Sequence, residues 1–162
     1  MSRWRAFFLS ASAILLSATF LATPCLAHHI AVVVDKDNKT QNITSAHLAK
    51  IVKGEVKKWP DGRTVVLVLH ATLDEVGTLA RLTKMTDAEV KAMLEERKND
   101  ERKNNDKDKD SIVLKASDAE VIEAVATTPG AIGMVEEHSI SGRVSVIKVD
   151  GKLPLESGYL PH

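Results

Sequence analysis

The sequence predicts an α/β domain with a mostly parallel sheet flanked by helices. Three observations predict it. Short continuous apolar runs rich in Val and Ile recur along the chain. Segments with apolar residues at helical spacing lie between them. Turns marked by Gly, Pro and Asp separate the two kinds of segment. Strands that alternate with helices imply parallel pairing, because a parallel neighbour is reached only through a crossover.

Ile30 to Val34 is an unbroken apolar run that stops at the polar stretch Asp35 to Lys39. Such a run fits a strand covered on both faces. Thr44 or Ser45 can cap a helix reaching about Val52, with Ala46, Leu48, Ala49, Ile51 and Val52 as its apolar face and Gly54 as its stop. Trp59-Pro60-Asp61-Gly62 is a turn, and Val65 to Leu69 a second buried strand. Leu73 to Leu82 fits a short helix. Thr86 to Glu89 and Ser117 to Glu120 each place a hydroxyl three residues before a Glu, the pattern that closes a helix N-terminus reciprocally. Ile112 to Leu114 is extended, and the helix opened by Ser117 ends before Pro129. Ala131 to Val135 and Val144 to Val149 read as two further strands forming a hairpin, and the Pro- and Gly-bearing tail as extended chain. Trp59 is expected in the core, and Gly133 where another backbone comes close.

The chain of 162 residues opens with Arg3 and Arg5, an apolar run from Ala6 to Leu21, and small residues at Cys25 and Ala27. That is the pattern of a cleavable secretory signal over residues 1–27, which leaves a single domain over 28–162 in the periplasm or outside the cell. Cys25, the one cysteine, falls in the signal, so the expected mature domain holds together without disulfides. Its 20 basic and 22 acidic residues give a net charge of −2, with no basic excess to neutralise nucleic-acid phosphates, so nucleic acid is not an expected partner. Residues 95–110 are almost all charged or amide-bearing and read as a solvated helix end running into a mobile segment.

The order of these features resembles the phosphate-type periplasmic solute-binding proteins of ABC transporters. The residues that carry it are Ile43-Thr44, Ile51-Val52-Lys53-Gly54, Trp59-Pro60-Asp61-Gly62, Thr128-Pro129-Gly130-Ala131-Ile132-Gly133 and Val149-Asp150-Gly151-Lys152. The resemblance implies one lobe of a type II periplasmic-binding-protein fold, in proteins that close two lobes on a solute. It also implies a non-enzymatic role, with a small oxyanion such as phosphate, a membrane transporter, another periplasmic protein or a second copy as the partner. The family's anion grip is similar to the segment Val76, Gly77 and Thr78, although Val76 stands where the family has a hydroxyl and Asp74 and Glu75 add negative charge.

Outside the resemblance, no Gly-x-Ser-x-Gly, His-Glu-x-x-His or phosphate-loop pattern is present, and no cofactor is expected. Cleavage after Ala27 would make His28 the amino terminus, where amine and imidazole together can chelate copper, with His47, His70 or His138 as further ligands. Glu136-Glu137-His138 reads as a loop after a strand. Three roles therefore stand open: solute binding, protein docking and copper binding.

Overall fold

The computed structural model describes residues 29–103 and 111–161. The predicted signal and His28 lie outside the described residues, as do positions 104–110 of the charged segment. A five-stranded sheet in the order β4-β3-β5-β1-β6 forms the centre. Its strands are β1 (Ile30–Val34), β3 (Val66–Leu69), β4 (Ser111–Leu114), β5 (Ala131–Glu136) and β6 (Ser145–Val146). A two-stranded ribbon pairs β2 (Asn42–Ile43) with β7 (Lys148–Val149). The helices are α1 (Ser45–Val52), α2 (Leu73–Thr83), α3 (Asp87–Lys103) and α4 (Asp118–Thr127).

The α/β class and helix-flanked sheet follow the sequence, but the sheet is mixed rather than mostly parallel. β4, β3 and β5 run parallel, as their crossovers through α2–α3 and α4 require. β1 leads into β2 and α1 instead of crossing over beside β5, and it lies antiparallel to both β5 and β6. β1 thereby separates β5 from β6, so the expected terminal hairpin does not form. The expected single strand Val144 to Val149 is also divided. Ile147 is buried and its N–H donates to Val32 O at 3.1 Å; the residues before it pair with β1 and those after it with β2.

The sheet separates two apolar cores. The larger gathers Val32, Leu48, Ile51, Trp59, Leu67, Leu69, Leu79, Val90, Ile132 and Met134 beneath α1, α2 and α3. The smaller joins Val33, Val68, Val121, Val125 and Val135 beneath α4. Alternate residues of β1 and β3 enter opposite cores, which is why these strands read as continuous apolar runs. α3 carries no apolar residue after Leu94 and continues to Lys103, with Arg97 donating to the Val52 carbonyl.

The tail turns repeatedly and brings Tyr159 inside. Its hydroxyl accepts from Val32 N–H at 2.9 Å and donates to Ile147 O at 3.0 Å. One side chain thus fastens the tail to the point where β6 gives way to β7.

Candidate functional site

In sheets of this kind ligands meet the edge formed by the carboxyl ends of the parallel strands. Three connections reach that edge here. His70-Ala71-Thr72 joins β3 to α2, Lys115-Ala116-Ser117 joins β4 to α4, and Glu136 ends β5.

The two helix entries are built alike. Thr72 Oγ1 accepts from Glu75 N–H at 3.2 Å, and the Glu75 carboxyl reaches back to Ala71 N–H. Ser117 Oγ accepts from Glu120 N–H at 3.3 Å, and Glu120 reaches back to Ala116 N–H at 3.2 Å. The acids occupy first turns, where they offset the positive end of each helix. The entries differ in burial. Glu120 is exposed, whereas Glu75 is 2% exposed and its Oε1 has no partner among the described residues. Burial pushes the Glu75 carboxyl up to about 8; N–H donors from Ala71, Thr72 and His70 temper the rise, and the nearby Asp118 charge adds to it. Ala71 sits at φ 58, a left-handed conformation strained for a residue with a Cβ.

Asp118 ties the edge together. Its Oδ1 lies 3.0 Å from His70 Nδ1, and its Oδ2 accepts from Glu136 N–H at 2.8 Å. The first contact fixes the imidazole proton on Nδ1 when the ring is neutral and leaves Nε2 as the acceptor. The β3–α2 loop, the α4 N-terminus and the end of β5 are thus joined through one carboxylate. Farther along, His138 Nε2 lies 3.2 Å from Glu136 Oε2 on an exposed turn.

The residues expected to grip an anion occupy the second turn of α2. Val76 and Thr78 are buried, and Val76 N–H is bonded to Thr72 O at 2.9 Å. Gly77 is half-buried, and a Cβ there would lie 3.6 Å from the Arg81 guanidinium nitrogens. The cap of the helix is Thr72, one turn earlier. Its signal in the sequence is Thr72-x-x-Glu75, the same spacing that marks Thr86 and Ser117. The pairing of His70 with Asp118 spans 48 positions and has no local signal.

The copper candidate His28 lies outside the described residues. Its candidate co-ligands are dispersed: His47 lines a groove with Trp59 and Pro60, His70 meets Asp118, and His138 meets Glu136. Among the described residues no group of three or more His, Cys, Asp or Glu is arranged to hold a metal ion.

Residues 12–142 match the family model described as the PBP superfamily domain. The chain belongs to the PBP superfamily. No curated protein matches it. Solved structures give the fold relationship. An ABC-type phosphate transport receptor from Vibrio cholerae is 19% identical with a TM-score of 0.58, and the match covers 78% of this chain and 48% of the receptor. A putative phosphate ABC transporter substrate-binding protein with bound phosphate, from Clostridium perfringens, is 19% identical at a TM-score of 0.52, covering 76% and 45%. PstS from Borrelia burgdorferi is 18% identical at 0.52, covering 78% and 49%. The PBP domain therefore spans about half the length of the structures it matches. Its fold is the α/β fold of one lobe of these structures.

Proposed function

We propose that this PBP domain is an exported, non-enzymatic binding module that engages a protein partner through the edge formed by His70–Thr72, Lys115–Asp118 and Glu136. The observation that carries the reading is the match to about half of each receptor. Hinge closure on a solute takes two bodies, and the lobe described here offers one wall of such a cleft. The chemistry of the edge supports a partner over a free oxyanion. Asp118, Glu120 and Glu136 lie along it, with Lys115 in its β4–α4 connection. The partner that fits is a membrane transporter or other periplasmic protein carrying the complementary wall.

The test is co-isolation of a tagged chain from its own cells, comparing Asp118→Asn with Glu55→Gln, a change away from the edge. Loss of a defined partner with the first and retention with the second is expected. A partner retained equally by both overturns the docking surface.

A second reading, binding of a small oxyanion such as phosphate, draws support from the phosphate-bound Clostridium perfringens relative. Calorimetric titration with phosphate and sulfate tests it, and the absence of heat at millimolar ligand removes it.

A further inference from the structure

The amino-terminal end of β1 meets the carboxyl end of β5. Ile30, the first residue of β1, stands opposite Glu136 in the antiparallel register. The pairing runs one residue farther, because Glu137 N–H donates to His29 O at 2.7 Å. His138 follows at once, in the short 3-10 turn Glu137–Ser139. His28 is the residue before His29, so a single peptide step of about 3.8 Å on either side carries the chain from that bond to His28 and to His138.

His138 is oriented as metal-binding imidazoles are. Its Nε2 lies 3.2 Å from Glu136 Oε2, and its side chain is 73% exposed. A neutral ring that gives its Nε2 proton to the carboxylate keeps the Nδ1 lone pair for a cation, and a carboxylate so placed fixes both tautomer and ring. The backbone of Glu136 is held in turn, its N–H donating to Asp118 Oδ2 at 2.8 Å.

The other two histidines that the sequence offers as co-ligands are placed elsewhere. His70 follows β3, which β5 separates from β1, and it is held by Asp118. His47 lies in the first turn of α1 and lines the groove with Trp59 and Pro60. Of the three, the topology leaves His138 beside the amino-terminal end of β1. The described residues alone bring no three metal-binding side chains together, and the amino group and ring of a terminal His28 supply the missing donors.

We propose that the mature chain, cut after Ala27, binds Cu(II) between the amino group and imidazole of His28 and Nδ1 of His138. Nitrogen donors suit Cu(II), which favours tetragonal sets of nitrogen and oxygen ligands. Glu136 is the positioning residue, acting through the His138 ring. The amino group and both rings bind only when deprotonated, so uptake of the metal releases protons and weakens as pH falls. The site lies beside the docking edge but does not rest on that reading, because no partner protein supplies a ligand.

The experiment is a Cu(II) titration of the mature chain purified from its own cells, with its amino terminus read by mass spectrometry. Affinity is measured by chelator competition, and the nitrogen ligands are counted by electron paramagnetic resonance. One bound Cu(II) with three nitrogen ligands is expected. His138→Ala removes one nitrogen and weakens binding by about tenfold or more, Glu136→Gln weakens it less, and His47→Ala leaves it unchanged. The exposed place of His138 lets its variant keep the wild-type urea midpoint, which separates lost binding from lost folding. A Gly-Ser-Gly extension ahead of His28 takes the amino group out of the chelate and weakens binding to a similar degree. Affinity that falls with the extension but is unchanged in His138→Ala shows chelation by the terminal peptide alone and overturns the site. An amino terminus other than His28, or no binding at micromolar Cu(II), overturns it as well.

Discussion

Trp59 Nε1 donates to the carbonyl of Gly130 at 2.8 Å, and 71 positions separate the two residues in the chain. The bond joins the turn after α1 to the turn before β5. Asp35 secures the same junction: Oδ2 accepts from Gly130 N–H at 3.0 Å, and Oδ1 meets Arg63 Nη1 at 3.0 Å. Gly130 itself holds φ +82, and a Cβ there would collide with the Thr64 carbonyl oxygen. Both turns that carry the family resemblance are halves of one buried junction.

Trp59→Phe keeps most of the apolar volume and leaves the Gly130 carbonyl without its donor. A loss of about 1–3 kcal/mol is expected in urea unfolding, as for other buried groups deprived of a partner. Gly130→Ala is expected to cost more, since it combines a forbidden backbone conformation with a backbone collision. An unchanged midpoint in either variant would contradict the junction.

Gly133→Ala tests the packing of α4 on the sheet. A Cβ at Gly133 would approach Val125 Cγ2 to 2.8 Å and Val121 Cγ1 to 2.9 Å. Overpacking of this kind costs about 1–3 kcal/mol. Adding Val125→Ala removes one of the colliding methyls, so the double variant should recover part of the loss. A cycle with no coupling energy would show that α4 shifts freely.

Much of this fold was legible in the sequence because its signals are local. Continuous Val and Ile runs marked β1, β3 and β5; hydroxyl-x-x-Glu spacings marked the starts of α3 and α4. What escaped was non-local. Nothing near Ile30 to Val34 tells which strands flank it, so the antiparallel position of β1 was not foreseen. Ile147 looks like the middle of a strand until its bond to Val32 divides it. At the site edge, the resemblance pointed to Gly77 and Thr78, while the helix start and the Asp118 link depend on burial and on partners far along the chain.

Tyr159→Phe should destabilise the domain although the ring stays in place. Val32 N–H and Ile147 O would both lose their buried partner, with an expected loss of about 1–3 kcal/mol by chemical unfolding. In the wild-type chain, burial raises the phenol to about 12, so the tyrosinate absorbance of the mature domain should appear only near that pH. A transition near 10 in the folded protein would contradict the buried hydrogen-bonded placement.

Glu75 predicts a pH dependence of stability. Its carboxyl is raised from the ordinary 4.5 to about 8 by burial, so the folded state holds a proton that the unfolded chain releases. The stability from this group is fully present below about 4.5 and is lost as pH rises through about 8. Each tenfold change in proton affinity is worth about 1.4 kcal/mol, so the loss is on the order of 5 kcal/mol. Glu75→Gln keeps an oxygen for Ala71 N–H and cannot ionise, so its unfolding free energy should vary less between pH 5 and 9. Equal pH slopes in the two proteins would remove the buried neutral acid from the account.

The central claim is that the edge joined by Asp118 is the surface through which this one-lobe PBP domain binds. Site-specific photo-cross-linking in the producing cell tests it most directly, with the photoreactive residue at Lys115 or His138 on the edge and at Leu153 as a control away from it. The account predicts a discrete cross-linked species from Lys115 and His138, diminished by Asp118→Asn, and none from Leu153. Cross-links from Leu153 alone would contradict it.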